Sequence, residues 1–320
     1  ANYFIPDARK FWVKPSVSFL ESYLLENPVD AIITTGPPHS LHLIGLQLKK
    51  KLHIKWISDF RDPWTEIDYF EQLPLTNKAK KKHQQLEKEV LVDSDAVLVI
   101  GKTMKEKFQQ FSNYIYVLTN GFDTEHDQKE VPLDSKFTIT HVGLMNADRN
   151  PHSFWKAINE LSLENYQFAK DYQIQLVGKV AKEVKDFIID LNLKNVNNLG
   201  YMSHKEVRKY QCKSQMLLLA VNNVKSAKGI ITGKIFEYLQ AKRPILAIGP
   251  INGDLAEIIN DTNSGVIVDF KDIETIKIEV LKMYNLYKNN HLKVDSKNTN
   301  QYHRKTLTKR LSEIIKETIS

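Results

Sequence analysis

The stretch GKIFEYLQAKRPILAIG, Gly233 to Gly249, decides the fold. It reads as a helix running straight into a buried strand. It opens on Gly-Lys and carries Glu237 on its first turn. A bare backbone, a lysine and a carboxylate at the start of a helix packed into a core pose a chemical question as well as a structural one.

The same alternation continues on both sides. Short apolar, β-branched runs of the kind that form buried parallel strands recur along the chain. In the first half they are DAIITTG, IKWISDF, DAVLVIG and YIYVLTN. In the second half they are FTITHVG, QIQLVGK, NVNNLGY, QMLLLAV, PILAIG and GVIVDF. Helical patterns separate them, near residues 151–165, 181–192, 203–213, 234–242 and 252–261, with an amphipathic tail at 301–320. Alternating β and α implies doubly wound sheets. Six strands complete one Rossmann-like domain, whereas four leave the first domain short. Its N-terminal strands are expected to lie upstream of this sequence. The polar, proline-containing segment 123–136 joins the halves. The expected organisation is a first domain at 1–130, a second at 131–300, and a helix at 301–320.

Composition narrows the class. At 320 residues and 42% hydrophobic the chain has room for two cores. No apolar run approaches the ~20 residues of a membrane span, and ANYFIPDARKF lacks a signal-peptide core. Cys212 is the only cysteine, which excludes an intrachain disulfide and a cysteine zinc site and fits a cytoplasmic setting. The net charge of +7 comes from the second half, where residues 131–320 hold 28 Lys/Arg and 20 Asp/Glu. That asymmetry suits an anionic ligand better than nucleic acid. KKKLHIK and KAKKKH in the first half have two readings, contact with anionic lipid or solvated helix ends.

Ligands of doubly wound sheets bind beyond the carboxyl ends of the strands. In the second half those ends bring Gly143 and Arg149 after FTITHVG, Lys179 after QIQLVG, and Gly200, Tyr201 and Met202 after NVNNLG. NNVKSAKGIITG follows QMLLLAV, supplies Lys228 and leads to Gly233 and Lys234. Cations at a helix N-terminus suit a diphosphate, a glycine lets it approach the backbone, and a carboxylate one turn along suits ribose hydroxyls. In the first half, TTGPPHS supplies His39, and SDFRDPW supplies Asp59, Arg61, Asp62 and Trp64. That group has two readings: a buried ion pair in a proline-fixed turn, or a sugar site with an indole against the ring. No G-x-G-x-x-G, P-loop or H-E-x-x-H is present, and DSD at 93–95 reads as capping rather than a metal site.

These stretches, in this order, resemble GT-B glycosyltransferases of the retaining family 4 (group 1) type. TTGPPHSLHLIGLQLKKK, WISDFRDPW, VLTNGFD, HVGLMNADRNP, LVGK, LGYMSHKEV and GKIFEYLQAKRPILAIG carry the resemblance. FRDPW points to the bacterial surface-polysaccharide subgroup. The resemblance implies two Rossmann-like domains facing a cleft, with nucleotide-sugar on the second and no metal or other cofactor. It makes Glu237 the ribose ligand. It places Arg149, Lys234 and the backbone after Gly233 at the diphosphate, and Gly200 to Met202 at the base. Arg149, Lys234 and Asp62 become the catalytic candidates, with His39, Asp59, Arg61 and Trp64 on the acceptor side. The implied partners are a nucleotide-sugar donor and a glycan or lipid-linked acceptor, with peripheral membrane contact. Two positions depart from the family: Gly229 stands where a second glutamate is usual, and Leu144 where an arginine is usual. Lys179 or Lys228 is expected to compensate. A nucleotide-sugar epimerase of the same fold and a non-catalytic nucleotide-sugar binding protein are the alternatives.

Overall fold

A computed structural model describes residues 2–68, 70–123 and 131–320. Residues 124–130, within the expected linker, lie outside the described residues. The chain divides into two compact units, Ala1–Asn120 with Arg304–Ser320, and Gly121–His303.

The first unit is built on four parallel strands, β1 (Ala31–Gly36), β2 (Lys55–Phe60), β3 (Ala96–Val99) and β4 (Ile115–Val117), in the order β1-β2-β3-β4. Its helices are α1 (Val13–Glu26), α2 (Ser40–Leu52), α3 (Asn77–Asp93), α4 (Lys102–Phe108) and the terminal α12 (Arg304–Ile319). The two-residue period of the strands sorts their side chains between two cores. Trp56, Phe60, Val97 and Val99 pack with Leu46 of α2 and Val90 of α3. Ile57, Ala96 and Leu98 pack with Ile314 of α12. Apolar residues on both faces are what a parallel sheet needs, which explains why these strands lack polar alternation.

The second unit holds six parallel strands: β5 (Phe137–Val142), β6 (Tyr172–Val177), β7 (Val196–Gly200), β8 (Met216–Ala220), β9 (Ile245–Ile248) and β10 (Gly265–Val268). Their order is β10-β9-β8-β5-β6-β7. Read from β7, this is the doubly wound arrangement whose direction reverses between β5 and β8. The connecting helices are α5 (His152–Glu164), α6 (Tyr166–Asp171), α7 (Lys182–Asp190), α8 (His204–Lys213), α9 (Lys234–Ala241), α10 (Asp254–Thr262) and α11 (Ile273–Lys288). Phe154, Trp155 and Ile158 of α5 and Ile276 and Val280 of α11 cover one face. Ile235, Phe236 and Leu239 of α9 and Leu255 and Ile259 of α10 cover the other.

The ten strands match the apolar runs, while α1, α4, α6 and α11 are helices that the pattern did not single out. α11 is rich in β-branched residues, which lowers helix propensity. Its burial of Ile276, Val280 and Tyr284 at four-residue spacing holds it helical against the sheet.

Candidate functional site

The reversal of strand order opens a crevice. β5 pairs with β6 along its whole length to Val142, but with β8 only at Ile139 and Thr140. Beyond Thr140 the two strands part. The Tyr238 hydroxyl enters this gap from α9, accepting from the Val142 N–H at 3.0 Å and donating to the Leu218 carbonyl at 3.2 Å. His141 Nδ1 lies 3.1 Å from the same carbonyl. Tyr238 therefore pins α9 beneath the switch point. Lys234, one turn earlier on the same helix, is carried to the crevice by that anchor.

Lys234 lies across Gly143. A β-carbon at Gly143 would fall 2.4 Å from Lys234 Cε and 2.8 Å from its Nζ. The backbone, at φ +103°, favours glycine here, while the flexible lysine tip that crosses it could shift to make room. Lys234 Nζ is buried and makes no hydrogen bond among the described residues. Burial first, and then the neighbouring Arg149, push its pKa down to about 8, with Glu237 acting the other way. His141 is pushed down to about 3, by burial and then by Lys234, with Arg149 a smaller cause. A buried ammonium with no acceptor is costly, and an anion from outside the protein is the group that would relieve it.

Arg149 is held in place beside it. Asn146 caps the short turn before it by accepting from the Arg149 N–H at 3.1 Å. The guanidinium donates from Nε to Asn222 Oδ1 at 2.9 Å and from Nη1 to the Leu144 carbonyl at 3.0 Å. Asn222 follows β8, so Arg149 spans the mouth of the crevice. Leu144 cannot supply the expected arginine side chain, but its carbonyl orients Arg149.

Glu237 is half-buried on the first turn of α9. Its Oε2 accepts from Gln211 Nε2 at 2.9 Å, and Gln211 is itself buried on α8. Gly233 precedes α9 at φ −56°, an ordinary helical value, and a β-carbon there would meet nothing within 4 Å. The glycine is thus not demanded by conformation or packing. What it leaves is open space at the start of the helix.

The remaining candidates of this unit spread along the strand ends. Lys179 and Lys228 are exposed, and neither is placed against the Lys234–Arg149 pair by a hydrogen bond or ion pair. The Lys228 backbone packs on Gly253, ahead of α10. Gly143, Gly178 and Gly200 end β5, β6 and β7, all at positive φ, and a β-carbon on Gly178 would fall 2.6 Å from the Gly143 carbonyl oxygen. Next to this row of glycines, Tyr201 is 93% exposed and Met202 is half-buried. Gln211, Asn222 and Tyr238 were not legible as site residues, because their roles depend on partners distant in sequence. Gly178 carried a signal, as the second glycine to close a strand.

The strand-end group of the first unit is organised differently. Asp59 is buried, takes Arg61 Nε at 2.9 Å and accepts from Thr35 Oγ1 at 3.2 Å. Arg61 also donates to the Leu118 carbonyl at 3.3 Å, which ties β2 to the end of β4. Trp64, expected to lie against a sugar ring, is only 2% exposed. It stacks on His39 with ring centres 4.8 Å apart and donates to His83 Nδ1 at 3.0 Å. The indole is a core residue, and its large apolar surface is spent on His39 rather than on a ligand. Burial pushes His39 down to about 4, partly offset by Asp7. Asp62 is shifted upward by burial and by Asp68. The buried-ion-pair reading of FRDPW describes Asp59 and Arg61, and leaves His39 and Asp62 as the members of the group with displaced titration.

Asp93 and Asp95 of the DSD segment pair with Lys50 and Lys49. Asp95 also accepts from the Trp56 N–H at 2.8 Å. Among the described residues no group of three or more His, Cys, Asp or Glu is placed to hold a metal ion. No helix among them is long and apolar enough to cross a membrane.

Residues 136–285 match the family described as Glycosyl transferases group 1. The match falls within the second unit. An uncharacterized glycosyltransferase of Methanocaldococcus jannaschii is 23% identical over 245 residues, which is 76% of this chain and 62% of that relative. The chain thus aligns with less than two thirds of that relative's length. Among solved structures, a sucrose-phosphate synthase of Thermosynechococcus elongatus superposes with a TM-score of 0.69 at 14% identity, covering 97% of this chain and 79% of the other. Anabaena HepE, solved in complex with UDP and glucose, gives 0.62 at 14% identity, covering 94% and 81%. At this identity the structural likenesses speak for the fold, and the fold is that of GT-B glycosyltransferases.

Proposed function

We propose that the protein is a retaining, metal-independent glycosyltransferase. It moves a sugar, hexose-like in size, from a nucleoside-diphosphate sugar to a glycan or lipid-linked acceptor in bacterial cell-surface polysaccharide synthesis. The observation that carries this reading is Lys234, a desolvated ammonium without a protein partner, set beside Arg149 at the switch point. A diphosphate supplies the missing negative charge, and Glu237 on the same helix accepts from the ribose hydroxyls. As the bond from the anomeric carbon to the diphosphate oxygen breaks, charge grows on that oxygen, where both cations stabilise it. The acceptor hydroxyl attacks from the same face, its oxygen bonds the anomeric carbon, and its proton passes to the departing phosphate. His39, Asp62 and Arg61 are assigned to the acceptor side. The enzyme works in the cytoplasm, and a lipid-linked acceptor brings it to the inner face of the membrane.

The test is thermal shift with UDP, GDP, ADP, CMP and dTDP, beginning with UDP because HepE was solved with it. A ligand at 100 times its dissociation constant stabilises by about 2.7 kcal/mol. One diphosphate is expected to raise the melting temperature of the chain and to lose that effect in Glu237→Ala. The matching nucleotide-sugar is then incubated without acceptor. Slow hydrolysis supports transfer, conversion of the sugar indicates an epimerase, and binding without turnover indicates a binding protein.

A further inference from the structure

Two like charges stay together in the crevice only if something holds them there. Arg149 is the second cause, after burial, of the lowered Lys234 pKa, so the pair repels. An unrestrained arginine keeps many rotamers and turns its charge to water. Two acceptors restrain the Arg149 guanidinium. The Leu144 carbonyl, five residues before it, takes Nη1 at 3.0 Å. Asn222 Oδ1, 73 residues away and across the crevice, takes Nε at 2.9 Å.

Asn222 is itself fixed by its chain neighbours. The Val221 N–H donates to the Ile248 carbonyl at 3.0 Å, which carries the pairing of β8 with β9 to the residue before Asn222. The Asn223 N–H donates to the Asp148 carbonyl at 2.8 Å. β5 and β8 part beyond Thr140, and the bonds Asn222–Arg149 and Asn223–Asp148 join their extensions again. The loop 222–233 thus begins at this clasp and ends at Lys234, the cation beside it. The kind of acceptor matters too. An amide oxygen and a carbonyl restrain Arg149 without adding negative charge, whereas Arg61 in the first unit is held by the Asp59 carboxylate. A neutral hold leaves the guanidinium charge for a ligand.

We infer that Asn222 is a positioning residue: it fixes the Arg149 guanidinium beside Lys234, so that both cations are in place before a diphosphate arrives. This rests on reading the crevice as the donor site, and it adds to that site a residue acting through Arg149. A charge fixed during folding needs no rearrangement when the leaving group departs.

The test has two arms. The first needs no ligand. In the isotope-labelled full chain the Arg149 Nε–H, assigned by its absence from Arg149→Ala, is expected to exchange slowly with water. It is expected to exchange at least about tenfold faster in Asn222→Ala and to stay slow in Asn222→Asp, whose carboxylate accepts the same bond. The second arm is calorimetric affinity for UDP, or for GDP, ADP or dTDP where one of these gives the larger thermal shift. A nucleoside diphosphate carries in full the charge that grows on the leaving group. Asn222→Ala is expected to weaken binding about tenfold, but by less than about twofold once Arg149 is already Ala. Asn222→Asp is expected to weaken it about tenfold or more although the guanidinium is held, because the added carboxylate cancels its charge. A merely structural asparagine would tolerate that isosteric change. Both single variants keep the Asn223 backbone bond and are expected to melt close to wild type. A fast Arg149 Nε–H in wild type, an unchanged one in Asn222→Ala, effects that multiply in the double variant, or full affinity in Asn222→Asp overturns the inference and leaves the donor site standing. A slow Arg149 signal in a wild type that binds none of these nucleotides overturns the transferase reading, and the inference with it.

Discussion

The two strand-end groups contain similar residues and have opposite economies. In the first unit most of the charges answer one another: Arg61 holds Asp59, Trp64 bonds His83, and Glu87 accepts from the Trp64 and Thr65 N–H groups, while Asp59 Oδ1 and His39 Nδ1 stay buried without a hydrogen bond among the described residues. In the second unit the two cations crowd together, and Lys234 has no acceptor at all. An ion pair such as Arg61–Asp59, closed within the protein, holds the fold together. A group left in deficit is poised for something that comes from outside. The sequence shows the same kinds of residue at both places, and only the pairing tells them apart.

The comparison breaks first if Arg149 proves idle. Arg149→Ala is expected to lower kcat by at least about 100-fold with little change in melting temperature. Unchanged kinetics would remove it from the site. Next comes Lys234→Met, which is expected to abolish the nucleotide-induced thermal shift. The same change is expected to raise the stability of the unliganded chain by about 1–3 kcal/mol at pH 7, because a desolvated charge disappears. A fall in stability would mean that Lys234 is structurally satisfied. Arg61→Ala is the matching change in the paired group. It is expected to cost about 2 kcal/mol, reduced from the fully buried case by the partial exposure of Arg61, and to leave nucleotide affinity alone.

Smaller effects sharpen the contrast. Gln211→Ala is expected to weaken nucleoside-diphosphate binding about fivefold by freeing Glu237 to turn, with a melting curve close to wild type. A pH series in titration calorimetry follows Lys234 itself. Its folded pKa of about 8 lies below the ordinary 10.5. Between those values the unfolded chain binds a proton that the folded chain does not, so unliganded stability rises with pH. Affinity for a diphosphate moves the other way and falls above pH 8, by up to about tenfold per unit. Parallel rather than opposed trends would show that Lys234 does not face the ligand.

Much of this was legible in advance. Apolar runs located every strand, since parallel strands buried on both faces need them, and strand ends followed by Gly, Arg and Lys marked the crevice where the strand order reverses. Trp64 was misplaced because an indole for a sugar and an indole for a core look alike in one dimension. Gln211, Asn222 and Tyr238 act through partners 26, 73 and 96 residues away, and no local pattern encodes such distances. α11 was hidden by its β-branched composition.

The row formed by Gly143, Gly178 and Gly200 has a consequence for how this molecule can change. Each has a positive φ, and at Gly178 a β-carbon would also run into the backbone of Gly143. A ledge of bare backbone has no rotamers to reorder and offers few tolerable substitutions. On the proposed transferase reading, a change of donor gains little by altering it. On that reading retargeting works through the rim, where Tyr201 is exposed and Met202 half-buried, with the ledge kept as the fixed reference against which new preferences are tuned.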